Sequence, residues 1–336
     1  MEQLDIYQTR DTYQIYRHIP TQQVIGNNLQ NPFFTIIIPT YLRPDTLAAS
    51  IQSAIDQVDF TDYEILIISN DPNGAEGKTR EIIDSFFSEK IAYYVNTENI
   101  GMSGNWNRAV ELAKGKYIVM LHDDDLLGPY CVATMFKAIQ EYGQPGMVGC
   151  GAVNFSNALP AFEKPEQLRC RRVTKKSFFF GRYLQIAGMT FRKDLALALG
   201  GFDENCYPAA DTVFIYQCLL HGQVINIDNN LVGYRKGVNE SLSGNTMKNI
   251  ILKTEQIRRS IAKHEFFAKI FMKLFGAAYL DRYILDAKLY WSMDIDRGEI
   301  FQAAGLKQTP TNKLQQKLLS VILRLERRFS NSSEKL

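Results

Sequence analysis

The sequence has few of the features that are typical of secreted proteins, of proteins with a structural metal site, or of membrane-spanning proteins. Only five of its 336 residues are cysteine; none are spaced as CxxC, and their odd number fits neither a disulfide framework nor a zinc site. We expect buried free thiols in a reducing compartment. No apolar run approaches the roughly 18 residues of a membrane-spanning helix, and acidic residues stand where a signal peptide would be basic. These absences predict a cytoplasmic protein.

A surplus of charge of either sign is also missing. The chain has 38 basic and 36 acidic residues, a formal net charge of +2. This balance gives no reason to expect nucleic acid as a partner. With 46% hydrophobic residues, the chain is expected to be globular and long enough for one large domain or two.

Strand-like and helix-like segments alternate from residue 33. The predicted strands are residues 33–39, 63–69, 91–96 and 117–121, and the predicted helices are residues 44–58, 78–88 and 103–114. The strands are apolar throughout, as expected when helices cover both faces of a sheet. Repeated βαβ units of this kind predict an α/β fold with a mainly parallel sheet.

The second half of the chain has a more mixed pattern. It contains a predicted strand at residues 147–155, a basic loop at 163–176, a helix ended by Gly200 and Gly201, a helix at 211–221, and two strands in "QVINID" and "LVGYRK". The pattern from residue 247 onward is helical. We predict an N-terminal extension (1–32), an α/β domain (33–246, with halves 33–125 and 126–246) and a C-terminal helical region (247–336).

Polar clusters follow three of the predicted strands. They are "PTY" at 39–41, "SND" at 69–71 and "HDDD" at 122–125. Ligands of open parallel sheets bind beyond the carboxyl ends of the strands, so these clusters are expected to converge on one acidic site. Adjacent carboxylates suit Mg²⁺ or Mn²⁺, which take oxygen ligands together with substrate phosphates. The alternative is a solvated acidic turn before the helix near Pro129, and the convergence of three strand ends favours the metal site.

Five motifs together resemble the inverting family-two glycosyltransferases of the GT-A fold. They are "FTIIIPTYLRP", "YEILIISNDPNG", "NIGMSGNWNRAVELAKGKYIVMLHDDD", "LALGGFDE" and "YRKGVNESLS", in the family's order, over about residues 35–243. The resemblance implies a Rossmann-like GT-A sheet with a C-terminal helical extension. It also implies an enzyme of bacterial-type polysaccharide biosynthesis that moves a hexose, with inversion, from a nucleoside diphosphate sugar (a UDP-sugar is expected). The acceptor would be a hydroxyl of a glycan, glycoprotein or lipid-linked glycan, and Mn²⁺ or Mg²⁺ the cofactor.

The resemblance also assigns residues to nucleotide binding. These are Thr40, Tyr41, Arg43, Asn70, Asp71, Asn99, Asn107, Asp123 and Arg235. The second strand of the family usually ends in two aspartates, but here it ends in Ser69 and Asn70. The amide oxygen of Asn70, with Asp71, would therefore recognise the base. Arg235 matches a segment that closes over the pyrophosphate together with Asn239 and Ser241.

The "HDDD" stretch matches the metal motif of the family. By register, Asp124 is the expected metal ligand, Asp123 lies near the ribose, and Asp125 is a second candidate ligand or an orienting group. His122 stands where the family usually has an acid or a threonine. We expect it to be a hydrogen-bonded residue at the strand end rather than a ligand.

The catalytic base of an inverting transfer takes the proton of the acceptor hydroxyl. The position that matches the base of the family is Asp211, and Ala210 replaces the glutamate that usually precedes it. The structural alternative is a first-turn aspartate that stabilises the helix by about 0.5–1 kcal/mol.

The C-terminal segment 312–329 has an amphipathic pattern. Its apolar positions are Leu314, Leu318, Val321, Ile322, Leu325 and Phe329, with lysines and arginines around them. Two interpretations remain open. The stripe contacts an anionic membrane at the inner face of the cell, or it packs on the catalytic domain or on another subunit of a homo-oligomer.

Two functions from other classes also remain open at this stage. One is a non-catalytic subunit that binds a sugar nucleotide or a glycan, which the replacements at Ser69, Asn70 and Ala210 keep in view. The other is a sugar nucleotidyltransferase. That class has a glycine-rich loop with Arg and Lys after the first strand, and "PTYLRPDT" lacks the glycines.

Overall fold

The computed structural model describes residues 4–181, 184–237, 244–308 and 311–333. Within these residues, ten strands join in one sheet. They are β1 (Thr21–Ile25), β2 (Phe34–Thr40), β3 (Tyr63–Ser69), β4 (Ile91–Asn96), β5 (Tyr117–Met120), β6 (Leu126–Leu127), β7 (Met147–Phe155), β8 (Cys170–Arg172), β9 (Thr190–Arg192) and β10 (Val224–Arg235).

The helices alternate with these strands and then take over the C-terminal part of the chain. They are α1 (Pro44–Ile55), α2 (Gly77–Asp84), α3 (Gly101–Leu112), α4 (Cys131–Glu141), α5 (Lys175–Phe179), α6 (Lys193–Leu199), α7 (Ala210–His221), α8 (Gly244–His264), α9 (Phe266–Trp291), α10 (Arg297–Ala303) and α11 (Lys313–Ser333). Pro44 opens α1, where its fixed φ suits the first helical turn.

The sheet has the order β1-β4-β3-β2-β5-β9-β7-β10-β6, with β8 paired to β10 outside this path. Strands β4, β3, β2 and β5 are parallel to one another, as are β7 and β10. The short strand β9 lies antiparallel between β5 and β7 and joins the two parallel groups. The predicted α/β fold with a mainly parallel sheet is therefore confirmed.

Apolar side chains cover both faces of the sheet. Ile37, Leu66 and Ile118 pack in one cluster with helices α3, α6 and α7. Their neighbours along the same strands pack in a second cluster with α1 and α4. Successive side chains of a strand point to opposite faces, so fully apolar strands are what a sheet with helices on both sides requires.

Two predicted elements of the second half differ from the structure. "QVINID" and "LVGYRK" are one strand, β10, whose pairing with β7 is irregular between Ile227 and Val232. Asp228, Asn229 and Asn230 lie between the two apolar runs, and their polarity predicted a loop that would separate two strands. In the structure they lie within one strand, at the point where its pairing with β7 is irregular. The basic loop at 163–176 contains the short strand β8 and the start of α5. All five cysteines are free and buried, as predicted.

Residues 4–20 lie across the outside of the domain before β1 joins the sheet edge. Thr12 donates to the carbonyl oxygen of Gly200 at 2.5 Å, and Arg108 of α3 donates to the carbonyl oxygen of Tyr16 at 2.7 Å. Gly200 ends α6 with φ 84°, and a Cβ there would lie 2.1 Å from the carbonyl oxygen of Arg10. Glycine is needed at this position for both reasons. The domain boundaries at residues 32 and 246 stay a prediction.

The C-terminal helices pack on the first cluster of the core and on each other. Helix α11 contacts the core through Leu319, Ile322 and Leu323. Four of the six apolar positions predicted to form a stripe, Leu314, Leu318, Val321 and Leu325, are exposed instead. The idea that this stripe packs on the catalytic domain is therefore wrong for those four residues. In the part of the chain that the structure describes, no helix is long and apolar enough to cross a membrane.

Candidate active site

A cavity of about 610 Å³ opens at the carboxyl ends of β2, β3 and β5. Its walls come from the strand ends, from the start of α3, from the first turn of α7 and from α8. The residues that line it include Thr40, Tyr41, Arg43, Asn70, Asn99, Asn105, Trp106, His122, Asp123, Asp124, Tyr207, Asp211, Tyr234, Thr246 and Ile250. Three predicted strand ends and the predicted base therefore meet at one cavity.

The three consecutive aspartates after β5 are all buried, with 0–8% of each residue exposed. Arg43 donates to Oδ2 of Asp124 at 2.9 Å. The backbone N–H of Arg235 donates to Oδ1 of Asp125 at 2.9 Å, and the Arg235 guanidinium donates to the carbonyl oxygen of Asp124. The guanidinium of Arg43 and the backbone N–H of Arg235 at the end of β10 thus partly offset the mutual repulsion of these carboxylates.

Burial shifts the titration of this cluster. It raises the pKa of Asp123 to about 6, with the charge of Asp124 adding to the effect and the Thr40 hydroxyl and Arg43 opposing it. Burial also raises the pKa of Asp124, and the charge of Asp125 raises it further. Asp123 and Asp124 thus stay protonated to a higher pH than exposed aspartates would, which is expected for a site that gains a cation with its ligand.

His122 lies between the acid cluster and the aromatic wall of the cavity. Its Nδ1 is 3.4 Å from Oδ2 of Asp125, and its ring stacks on Trp106 with a centroid distance of 5.5 Å. Burial alone would lower the pKa of His122, but the hydrogen bond to Asp125 and the charges of the three aspartates raise it. His122 is therefore held by Asp125, in line with the expected strand-end histidine.

The residues at this corner fit a divalent cation. One donor atom from each of His122, Asp124 and Asp125 can be chosen so that all three lie within 4.8 Å of one another. Within the described residues, the one polar partner of the buried Oδ2 of Asp125 is Nδ1 of His122, at a long 3.4 Å, which leaves a lone pair of this oxygen for a metal. The two carboxylates are ligands that suit Mn²⁺ or Mg²⁺, and the imidazole of His122, which was not expected to be a ligand, lies close enough to be a third.

Asn70 lines the cavity as predicted, but its side chain is already engaged. Its amide oxygen accepts from the backbone N–H of Ile100 at 3.0 Å and from the side chain of Asn96 at 3.2 Å. Its amide nitrogen donates to Asn99 at 2.7 Å. Both lone pairs of the oxygen are used, so the expected base recognition through this oxygen does not fit the arrangement. Asn70 instead fixes the start of α3.

Three other predicted nucleotide residues lie off the cavity. Asn107 accepts from the N–H of Phe202 at 2.7 Å and donates to Thr12, which makes it a buried link between α3 and the N-terminal segment. Asp71 accepts from the N–H of Asn73 in a turn. The side chain of Arg235 is held over Phe155 and against Ser156. The predicted partners of Arg235, Asn239 and Ser241, lie outside the described residues.

Asp211 sits in the first turn of α7 and faces the cavity. Burial raises the pKa of its carboxyl, while hydrogen bonds from Thr212 and the nearby His122 oppose the rise. Thr212 donates to Oδ1 at 3.3 Å. A carboxylate with a raised pKa is a better proton acceptor near neutral pH than an exposed one. Its position favours the base over the purely structural first-turn alternative.

Several lining residues were not predicted from the sequence. They include Asn105, Trp106, Tyr207, Tyr234, Thr246 and Ile250. "GNWN" contains both Asn105 and Asn107, and residues two apart on a helix point to nearly opposite sides. The period of the helix could therefore have separated them. Thr246 and Ile250 belong to α8, which is far in the sequence from the strand ends, and no local sequence pattern predicts that α8 lines the cavity.

The sheet and the cavity beyond its strand ends have the arrangement of the GT-A fold. The sequence model of the family described as "Glycosyl transferase family 2" matches residues 35–193. This stretch contains β3 to β9, all of β2 except Phe34, and the acid cluster. Over this stretch, just under half of its length, the chain matches glycosyl transferase family 2, and the predicted resemblance is confirmed.

Two curated relatives match part of the chain. An uncharacterized glycosyltransferase of Methanocaldococcus jannaschii is 26% identical over 59% of this chain and 69% of its own length. A GalNAc(5)-diNAcBac-PP-undecaprenol beta-1,3-glucosyltransferase of Campylobacter jejuni is 25% identical over 55% of this chain and 59% of its own length. The chain thus spans between about three fifths and two thirds of these relatives.

Two solved structures share the fold at low identity. S. aureus TarS 1-349 in complex with UDP-GlcNAc has a TM-score of 0.53 at 15% identity, covering 81% of both chains. The mannosyltransferase PcManGT of Pyrobaculum calidifontis, in complex with GDP-Man and Mn²⁺, has a TM-score of 0.54 at 15% identity, covering 93% of this chain and 85% of that one. Both likenesses establish the GT-A architecture.

Proposed function

We propose that this chain transfers a hexose from a UDP-sugar to a hydroxyl of a lipid-linked glycan, with inversion at the anomeric carbon. The observation that carries the proposal is that Asp211 lines the same cavity as Asp123 and Asp124. One wall of this cavity suits a pyrophosphate with its cation, and the other supplies a proton acceptor.

The chain's own residues have distinct roles in the proposed reaction. Asp124 and Asp125, with His122 beside them, would hold Mn²⁺ or Mg²⁺, which supplies neutralisation of the charge that develops on the leaving nucleoside diphosphate. Tyr41 and Asn99 line the nucleotide side. Asp211 takes the proton of the acceptor hydroxyl as that oxygen attacks the sugar carbon opposite the leaving group.

The donor nucleotide and the acceptor are supported by the relatives. TarS was solved with UDP-GlcNAc, and the C. jejuni relative is named for an undecaprenol-linked acceptor. PcManGT was solved with GDP-Man at a similar TM-score, so a GDP-sugar is the competitor that the test has to include.

The test is a donor screen with the purified full chain. UDP-, TDP- and GDP-sugars are incubated with a polyprenyl diphosphate-linked glycan in Mn²⁺ or in EDTA, and the product is identified by mass spectrometry. We expect product from a UDP-sugar only, loss of that product in EDTA, and a β-linkage from an α-linked donor. Undiminished transfer in EDTA would overturn the metal assignment. A retained α-linkage would overturn inversion, and no turnover of any donor would favour a binding subunit.

A further inference from the structure

Helices α9 and α11 expose a continuous set of large apolar side chains. On α9 these are Phe266, Ile270 and Leu274, which are 77%, 45% and 52% exposed; on α11 they are Leu314, Leu318, Val321 and Leu325, each between 44% and 61% exposed. We call these seven residues the α9/α11 surface. Single exposed leucines are ordinary, but a cluster of this kind on one pair of helices marks an interaction site.

The two stripes belong to one surface because the helices lie side by side. Gln315 of α11 donates to the carbonyl oxygen of Leu274 of α9 at 3.2 Å. Below this contact, Phe271 and Leu319 are buried in the same core cluster. Residues 266, 270 and 274 are spaced by four, and so are 314 and 318, so each set forms one stripe along its helix.

The exposed stripes are separate from the packing faces of the same helices. Helix α11 uses Leu319, Ile322 and Leu323 to contact the core. At 100° per residue, these positions centre roughly 120° away from the stripe of Leu314 and Leu318. The exposed stripe is therefore additional to what folding requires, and the core is closed without it.

Basic side chains border this surface on both helices. They are Lys269 and Lys273 on α9 and Lys313, Lys317 and Arg324 on α11, all exposed. Among the described residues, no acidic side chain forms an ion pair with any of the five. Glu326, the acid that α11 carries in this stretch, is buried on the packing side. The side chains that border the stripes are thus cationic, apart from Glu265, which precedes Phe266 and pairs with Lys175 at 2.7 Å.

We propose that the α9/α11 surface docks on an anionic phospholipid bilayer, with the apolar stripes in the interface and the five cations at the headgroups. An apolar face bordered by lysine and arginine is the pattern that binds such surfaces. A second copy of the chain fits less well, because twofold pairing would set the positive border of one copy against that of the other.

The surface also has a place in the proposed function. Contact with a bilayer would bring the cavity close to acceptors that are anchored in lipid. The rate of transfer to such acceptors would therefore be higher than without this contact. The docking itself rests on the side chains of α9 and α11 and is measured without donor or acceptor. Failure of docking and failure of the proposed transfer are therefore distinguishable.

The test is flotation of the full chain with lipid vesicles in a density gradient. One set is phosphatidylcholine alone, and the other is phosphatidylcholine mixed with phosphatidylglycerol. We expect the chain to float with the anionic vesicles, and roughly tenfold less with neutral ones or in high salt. The double variants Leu314→Ser/Leu318→Ser and Lys313→Glu/Lys317→Glu are expected to lose about tenfold or more in binding.

The matched control is Leu289→Ser on the second half of α9, outside the surface, where the leucine is 66% exposed. It is expected to float like the unaltered chain. All variants change exposed side chains, and thermal unfolding checks that each is folded. No flotation of the unaltered chain, or flotation that the double variants leave unchanged, would overturn the proposal. Self-association that disappears in the Leu314→Ser/Leu318→Ser variant would overturn it in favour of a second copy.

Discussion

The two walls of the cavity hold their carboxylates in different ways. On the strand-end wall, Asp124 pairs with Arg43 and Asp125 accepts from the backbone of Arg235. On the α7 wall, Asp211 accepts from its neighbour Thr212, and no basic side chain of the described residues forms an ion pair with it. The first arrangement fixes its carboxylates in place through a guanidinium and a backbone N–H, whereas the second leaves a carboxyl with a raised pKa free to exchange a proton.

This difference separates binding from chemistry. A wall that takes up a cation and a pyrophosphate needs several acids in fixed positions. A proton acceptor needs one carboxyl whose pKa is close to the working pH. The predictions below test whether the two walls carry these separate roles.

The largest expected effect is that of Asp211→Asn. Transfer should fall by about 10²–10⁴-fold, the range for loss of a general base, while the donor binds as before. Calorimetry of nucleotide binding and the single-turnover rate measure the two quantities. Asp194→Asn, a first-turn aspartate of α6, is the matched control and should leave transfer unchanged. Near-normal transfer by Asp211→Asn would show that Asp211 is a structural first-turn residue.

The Asp124→Asn variant tests the opposite wall. Donor binding in Mn²⁺ should weaken by at least 10–100-fold, roughly the cost of losing even an outer partner of a metal ligand. In EDTA the variant and the unaltered chain should bind UDP alike. If the difference persists in EDTA, the carboxylate acts on the fold rather than through a metal.

The two asparagines of "GNWN" are expected to behave differently. Asn107→Ala should lower the free energy of unfolding by about 1–3 kcal/mol, because buried partners at Phe202 and Thr12 lose their hydrogen bonds. Its KM for the donor should stay the same, whereas Asn105→Ala should raise that KM. Urea unfolding and steady-state kinetics separate the two. A raised KM in a fully stable Asn107→Ala variant would restore the original assignment.

The smallest expected effect concerns pH. Burial raises the pKa of Asp211, so its carboxyl stays protonated to a higher pH than an exposed aspartate would. Activity should then fall, on acidification, as the pH passes down through this raised pKa. Thr212→Val removes a donor to the carboxylate and should move the acid limb of the kcat profile to still higher pH. An acid limb in the ordinary range of aspartate would contradict a base whose pKa is raised by its surroundings.

The sequence was sufficient for the half of the fold that has regular local patterns. The strands Tyr63–Ser69, Ile91–Asn96 and Met147–Phe155 lie where they were predicted, because apolar runs between turn residues have few alternatives. The strand β8 has three residues, Cys170–Arg172, and two of them are arginines. Its pairing with β10 depends on tertiary contacts, which no local sequence pattern indicates.

The site was predictable where chain order alone determines position. Thr40 ends β2, and Asp123 and Asp124 follow β5, so the parallel sheet brings them together. The prediction for Asn107 was wrong because it followed from the position of this residue in the motif and did not consider which side of α3 the side chain lies on. Asn105 lies on the side that faces the cavity, and Asn107 lies on the other. For α11, periodicity detects an apolar stripe, but which stripe meets the core depends on α9.

The N-terminal segment has a consequence for the order of assembly during synthesis. Thr12 bonds to Gly200, and the N–H of Ile6 donates to Ser260 at 3.0 Å, so residues 6–12 are synthesised well before the partners that they bind. At about 5–20 residues per second, the 188 residues that separate Thr12 from Gly200 take on the order of ten to forty seconds. Residues 6–12 therefore cannot dock until the turn after α6 has been synthesised, and their docking is a late step in the assembly of the domain.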